Sequence, residues 1–293
     1  MQANITCSPS MARICESRLK NNPSGLNQPK NNSVLGAIME TTIIQFEKVK
    51  LKNPILIEGL PGIGNVGRVA AGYLISELKM KHFADLYSPH FLPLVVLHPD
   101  GIASMLKNEF FYCKGKNHDI VILSGDTQSI NAEGHYDICE KIISFAEGLG
   151  VESIITLGGF AEGREVKEPR VIGAVNNPGL VKRYSKFGID FGKNHPVGTI
   201  VGASGILLGM AGLHGIDSLC IMGQTMGFPM ITDLRAAEKV IRMLTGILDI
   251  KVDLAKLDAI VKQMEEKIRR AESMHKQMLD QLSKPKEEVR YIG

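Results

Sequence analysis

Short apolar runs that end in glycine-rich turns recur along this chain, and they constrain its fold more than any other feature. The first run, Ile55–Glu58, leads directly into Gly59–Gly67, and four later runs end in similar turns. Glycine makes up 30 of 293 residues, against about 7 % in average proteins. Continuous apolar runs are typical of strands that are covered on both faces. The pattern therefore predicts buried strands that are joined to the next element by tight turns.

Helical stretches lie between these runs. The helix candidates are Asn65–Leu78, Glu133–Leu149, Ser204–Leu213 and Asp233–Leu248. Strands that are spaced by helices predict an α/β fold, with a sheet flanked by helices on both sides. The strand candidates are Ile55–Glu58, Leu92–Leu97, Asp119–Leu123, Ser153–Leu157, Val171–Asn176, Thr199–Val201 and Leu219–Met222.

Composition divides the chain into three parts. Residues 1–38 are rich in Asn, Ser, Pro and Gln and lack a sustained apolar pattern, so they are predicted to be a disordered N-terminal extension. Met39 would then be a natural start of the folded chain. Residues 39–248 are predicted to form the α/β domain. Residues 249–293 are predicted to form a helical extension with a flexible C-terminal tail.

The helical extension carries a heptad pattern. Apolar residues recur at the a and d positions from Leu254 onward, with charged residues elsewhere, over about four heptads. This spacing predicts a coiled-coil-like helix whose apolar seam contacts another helix. The seam residues predicted to mediate oligomerisation are Leu254, Leu257, Val261, Met264 and Ile268.

The turn after Ile55–Glu58 contains a recognisable glycine motif. Gly62, Gly64 and Gly67 match GxGxxG, in which a nucleotide pyrophosphate rests on a helix N-terminus. The expected ribose-binding acid is not evident, because no clear apolar strand leads to Asp85. Two interpretations therefore stay open for this loop, a ligand site or a tight structural turn. Asp126, in the turn Ser124–Gln128 that directly follows the Asp119–Leu123 run, would lie at the same sheet edge.

Charge and cysteine content exclude several classes of protein. A formal net charge of +3 is too small for a general nucleic-acid binder. Five cysteines without a CxxC pair predict a reduced cytoplasmic chain and neither a disulfide scaffold nor a zinc ribbon. The uncharged stretch 194–216 is long enough to span a membrane, but its glycines, histidines and proline favour a buried strand and helix instead. We therefore expect no membrane segment.

The sequence offers no convincing catalytic group. Ser204 lies in Gly-Ala-Ser-Gly-Ile, which does not match the Gly-x-Ser-x-Gly nucleophile elbow. His135 and Cys139 are four residues apart on one helix, but further metal ligands at motif spacing are missing. We therefore predict no catalytic residue, no metal and no cofactor. The alternative hypothesis is an enzyme or sensor that binds a nucleotide or dinucleotide through Gly62, Gly64 and Gly67.

The ordered set of motifs resembles the archaeal proteasome assembly chaperone family over about Thr41–Leu248. This resemblance implies a phosphorylase/hydrolase-like α/β fold that is used as a protein-binding scaffold without enzymatic activity. It also implies a homo-oligomer whose partner is the α ring of the core proteasome. The motifs that carry the resemblance are Gly59–Gly67, Gly125–Gln128, Leu157–Phe160, Gly202–Leu208, Gly223–Pro229 and Asp233–Ala237.

The same resemblance draws attention to the C-terminus. Family members and proteasome activators often dock through a terminal hydrophobic–Tyr–any motif that inserts between α subunits. Here Tyr291 is third from the end and is followed by Ile292 and Gly293, and Arg290 precedes it. The sequence thus departs from the usual spacing, but it keeps an aromatic anchor beside a terminal carboxylate. We predict that Tyr291, Ile292 and Gly293 bind the partner, with an unattached tail as the alternative.

Overall fold

The computed structural model describes residues 40–163, 168–192, 197–227 and 232–255, together with Leu257 and Ala259. The fold below is that of the part up to Asp253. Its helices are α1 (Val66–Glu77), α2 (Ala132–Gly148), α3 (Gly179–Ser185), α4 (Ala203–Leu213) and α5 (Leu234–Leu248). Its strands are β1 (Thr42–Gln45), β2 (Ile55–Gly59), β3 (Lys81–Tyr87), β4 (Val95–Leu97), β5 (Ala103–Met105), β6 (Asn108–Cys113), β7 (Ile120–Gly125), β8 (Ser153–Ala161), β9 (Val171–Val175) and β10 (Asp217–Thr225).

Eight of these strands form one mixed sheet in the order β1-β3-β6-β7-β2-β8-β10-β9. The central strands β7, β2, β8 and β10 are mutually parallel, so their carboxyl ends meet at one edge. Antiparallel strands complete the sheet on both sides. Strands β4 and β5 form a separate two-stranded sheet.

The central strands are apolar because both of their faces are covered. Every residue of β2 and β7 is buried. Leu56 and Ile154 pack in a core with Ile138 of α2 and Leu207 of α4. Because successive strand residues point to opposite faces, Ile57 lies on the other face, which α1 and α5 cover. The predicted α/β sheet with flanking helices is confirmed.

Two strand predictions need correction. Thr199–Val201 is not a strand: it is a loop in which Val201 is 88 % exposed, and it turns into α4 through Gly202 at φ 87°. Within Leu92–Leu97, only Val95–Leu97 is a strand, and it belongs to the small separate sheet. In both cases a short apolar run lies outside the main sheet, and periodicity alone does not identify its partner.

Within the uncharged stretch 194–216, residues 197–202 form the loop before α4, and α4 itself has 11 residues. Among the residues that the structure describes, no helix has both the length and the apolarity needed to cross a bilayer.

Candidate functional site

The loop after β2 is the first component of the candidate site at the carboxyl ends of the parallel strands. Gly64 has φ 62° and Asn65 has φ 50°, so two consecutive residues adopt left-handed conformations. The amide of Asn65 donates to the carbonyl oxygen of Gly62 at 2.9 Å and closes the turn. The carbonyl oxygen of Gly64 accepts from the amide of Asp233 at 2.9 Å, which ties the loop to the start of α5.

Gly67 is required by close packing. A Cβ atom placed at Gly67 would lie 2.3 Å from the carbonyl oxygen of Leu157 on β8. A Cβ atom at Gly59 would lie 2.5 Å from the carbonyl oxygen of Gly67. Helix α1 therefore approaches β2 and β8 at backbone distance. The contact accounts for these glycines without a ligand.

Gln128 fills the space in front of the glycine loop. Its side-chain Nε2 donates to the carbonyl oxygen of Pro61 at 2.6 Å. Its Oε1 accepts from the amide of Ala203 at 2.9 Å, at the first residue of α4. The nearest atom to a Cβ at Gly62 is this same Nε2, at 3.7 Å. A side chain of the chain itself thus links the two loops and occupies the position in front of Gly62.

Asp126 lies at the same edge, as the sequence predicts. Its carboxylate accepts a hydrogen bond from the backbone amide of Lys107 at 3.3 Å, and its own amide donates to the Lys107 carbonyl oxygen. Its other carboxylate oxygen lies 3.9 Å from the guanidinium group of Arg68 on α1. These contacts join β7, the segment before β6 and α1. They give Asp126 a structural role; whether Gly62, Gly64, Gly67 or Asp126 also binds a ligand stays a prediction.

Asp85 does lie on a strand, β3, contrary to the expectation that none leads to it. It cannot serve as a ribose-binding acid beside Gly62, because β6 and β7 separate β3 from β2. Asp85 lies 2.7 Å from Nε2 of His82, and its other oxygen lies 2.9 Å from Nζ of Lys107. Burial acts to raise the pKa of Asp85, but His82 and Lys107 outweigh it and lower the pKa. The positive charge beside the Asp85 carboxylate therefore comes from the Lys107 ammonium group.

Glu58 is the site residue that the sequence interpretation missed. It is completely buried in β2, and its carboxyl group accepts hydrogen bonds from the Leu60 amide at 3.0 Å and the Ser204 hydroxyl at 2.9 Å. Burial raises the pKa of the Glu58 carboxyl to about 7, although these hydrogen bonds act to lower it. The available signal was an acid inside the otherwise apolar run Ile55–Glu58. The hydrogen bond between Glu58 and Ser204 joins β2 to α4 below the glycine loop.

We expect replacement of Glu58 with glutamine to stabilise the protein at pH 8 and to have little effect near pH 4. The unfolded carboxyl loses its proton near pH 4.5 and the folded one near 7, so the contribution of Glu58 to stability falls between these values and stays low above them. Glutamine is neutral throughout: its amide oxygen can accept from the Leu60 amide, and its amide nitrogen can donate to the Ser204 hydroxyl oxygen, which can then donate to the Leu157 carbonyl oxygen 3.3 Å away. The expected gain at pH 8 is about 2–3 kcal/mol, measured by urea unfolding.

Exposed Glu152 offers the matched control for this experiment. Glu152→Gln removes the same charge without a buried environment, and it should shift the unfolding midpoint little at either pH. Equal curves for Glu58→Gln and the parent chain at pH 8 would contradict the assignment of a destabilising buried carboxyl.

The seam and tail predictions concern the end of the chain. Leu254 and Leu257 are described residues, whereas Val261, Met264 and Ile268 lie outside the described part, as do Tyr291, Ile292 and Gly293. Their predicted roles in oligomerisation and partner binding therefore stay predictions.

Together, the loops define an α/β scaffold whose parallel strand ends are linked by its own side chains. The chain belongs to the PAC2 family, whose model matches residues 56–272. It is 36 % identical over 246 residues to uncharacterized protein MJ1210 of Methanocaldococcus jannaschii, covering 83 % of this chain and 93 % of that protein. The resemblance to the archaeal proteasome assembly chaperones that the sequence motifs carry is confirmed.

Solved structures agree with this assignment. Pyrococcus furiosus PbaB, described as an archaeal proteasome activator, is 38 % identical with a TM-score of 0.76, over 80 % of this chain and all of that chain. Pyrococcus furiosus PbaA, described as an archaeal homolog of proteasome-assembly chaperone, is 26 % identical with a TM-score of 0.67, over 83 % of this chain and 96 % of that one.

Proposed function

We propose that this chain is a non-enzymatic proteasome chaperone or adaptor that forms a homo-oligomer and binds the α ring of the core proteasome in the cytoplasm. The observation that carries the proposal is the similarity to PbaB, which extends over the whole of that archaeal proteasome activator. The family membership supports the same role, since the matched residues 56–272 cover most of the α/β domain and the first part of the predicted helical extension.

The geometry of the strand ends supports a scaffold in preference to an enzyme. Open α/β sheets usually bind ligands at this edge. Here Gln128 joins the loop at Pro61 to the start of α4 at Ala203. The Ser204 hydroxyl donates a hydrogen bond to the Glu58 carboxyl group in the interior beneath that loop. The side chains of Gln128, Glu58 and Ser204 are thus engaged in holding the elements together.

In this proposal the folded domain positions repeated C-terminal tails. The heptad residues from Leu254 to Ile268 would associate between copies, and each copy would present Tyr291 near a free carboxylate. A proteasome α ring repeats its subunits, so several tails can engage related pockets at once. Once one tail of an oligomer is bound, the other tails are held close to the remaining pockets, which raises their effective concentration there.

We expect native mass spectrometry of the protein mixed with proteasome α subunits to show a complex that contains several copies of this chain. The same spectra of the protein alone would report its copy number and any retained nucleotide. An equal mixture with a bacterial protein of similar mass is the control for nonspecific adducts. Free α subunits alongside an intact homo-oligomer, at concentrations well above micromolar, would count against the proposed partner.

A further inference from the structure

A projecting hairpin, which we call the arm, comprises residues 92–105. Within it β4 and β5 pair antiparallel, with Val95 opposite Met105, as a sheet separate from the main one. Phe91 and Leu106, at the two ends of the arm, are only 5 % and 8 % exposed, so they anchor its base in the core. The arm is thus fixed to the domain at its base while its strands extend from it.

The arm is apolar and yet exposed on both faces. Every residue of β4 is exposed, and Leu97 reaches 72 %. Because neighbouring strand residues point to opposite faces, Val96 and Leu97 place apolar side chains on both sides. An isolated two-stranded hairpin is marginally stable in water, and contiguous exposed apolar surface commonly marks an interaction site. The large exposed apolar residues are Leu92, Leu94, Val95, Val96, Leu97, Ile102 and Met105.

The charge distribution of the arm indicates what kind of surface it matches. Asp100, in the turn, is its only acidic residue, and it contains no Lys or Arg. The ring of His98 is engaged by the Ser104 hydroxyl at 2.8 Å. The two strands of the arm carry no Asp, Glu, Lys or Arg, so they offer no electrostatic steering toward a charged partner. These strands are, however, compatible with the same strands of an identical copy, because they meet without like-charge repulsion while Asp100 lies in the turn.

We propose that the arm packs against the arm of a second copy of this chain, related by two-fold symmetry. In a two-fold interface each copy uses the same surface, which suits apolar strands without charged side chains. The seven exposed side chains are spread over both faces of the arm, so one arm packed on another covers only part of them and forms a smaller contact than the roughly 800 Å² per partner of a standard interface. The outer edges of β4 and β5 are available for strand pairing within the described part of the chain. This inference rests on the proposed homo-oligomer and assigns it a second interface beside the heptad seam.

Sedimentation velocity of the full chain over a concentration series tests the arm. Leu97→Glu places a charge on an exposed position and brings two like charges together in a two-fold interface. We expect the assembly to fall to a smaller species, with at least a tenfold higher dissociation constant. Leu213→Glu is the matched control: Leu213 is 87 % exposed at the end of α4, outside the arm, and its substitution should leave the mass unchanged.

Hydrogen exchange and proteasome capture separate the remaining outcomes. Amides of the arm should exchange more slowly as the parent protein is concentrated, and this protection should be lost in Leu97→Glu. An unchanged assembly mass in Leu97→Glu would overturn the arm contact. Capture of the protein by the core proteasome is a separate measurement, and it tests the proposed function independently of the arm. Loss of capture with an unchanged mass would assign the arm to the proteasome and would likewise overturn the contact between copies. A parent chain that stays a monomer at every concentration would overturn both the arm contact and the homo-oligomer.

Discussion

Replacing Gly67 with alanine is expected to destabilise the protein by about 3 kcal/mol or more. The added Cβ would lie 2.3 Å from the carbonyl oxygen of Leu157 and 2.9 Å from its carbonyl carbon. Both atoms are backbone atoms of the buried strand β8, so a side-chain rotation cannot relieve the clash. Helix α1 would have to move away from the sheet and open the packing of Val66 and Ala70. Urea unfolding followed by circular dichroism measures the loss.

The same helix supplies the control for this prediction. Gly72 also lies in α1, and a Cβ atom there would meet nothing within 4 Å. Gly72→Ala should therefore stabilise the protein by about 0.5–1 kcal/mol, because alanine favours the helix over glycine. Opposite signs for one chemical change, five positions apart, would identify close packing as the cause. Equal stability of Gly67→Ala and the parent chain would show that α1 does not approach β8 so closely.

The central fold could be predicted because its signal is local. The residues of β2 and β7 are continuously apolar and buried, and helices with clear beginnings separate the strands. Asn131 and Asp233, for example, cap α2 and α5 by accepting from backbone amides three residues later. A chain with this pattern has few alternatives to a sheet flanked by helices.

The antiparallel strands β3 and β6 escaped prediction because their patterns are irregular. Strand β3 has a bulge between His82 and Ala84, so Phe83 and Ala84 are both buried and the alternation of period two breaks. Strand β6 pairs with β3 over a long connection that includes the arm. No local sequence pattern indicates the bulge or the pairing, so the order of the strands in the sheet could be obtained only from the structure.

The glycine motif shows why a site is harder to predict than a fold. Its spacing indicates a tight strand-to-helix turn, which the structure contains, but the same spacing serves nucleotide binding and helix packing alike. The distinction depends on what lies in front of the turn. That position is taken by Gln128, which is separated from Pro61 by 67 residues. A contact between such distant residues leaves no periodic trace in the sequence.

Deletion of Tyr291–Gly293 is expected to abolish capture of the core proteasome while the homo-oligomer keeps its mass. In the proposed arrangement the tail supplies the aromatic anchor and the terminal carboxylate, and an anchor of this kind carries most of the binding energy of a small interface. Because repeated tails act together, loss of every anchor should weaken apparent affinity by about 100-fold or more. Surface-plasmon resonance on immobilised proteasome measures the affinity, and sedimentation measures the mass.

Single substitutions distinguish the anchor from the rest of the tail. Tyr291→Ala should reproduce the deletion, whereas Tyr291→Phe keeps the ring and should retain more of the binding. Arg290→Ala is the neighbouring control, since it changes charge without removing the aromatic group. Tyr291 is third from the end, so this comparison distinguishes two kinds of pocket. A pocket that binds only the ring tolerates one extra residue better than a pocket that binds both the ring and the carboxylate. Undiminished affinity of the deleted chain would place the contact with the proteasome elsewhere on the α/β domain.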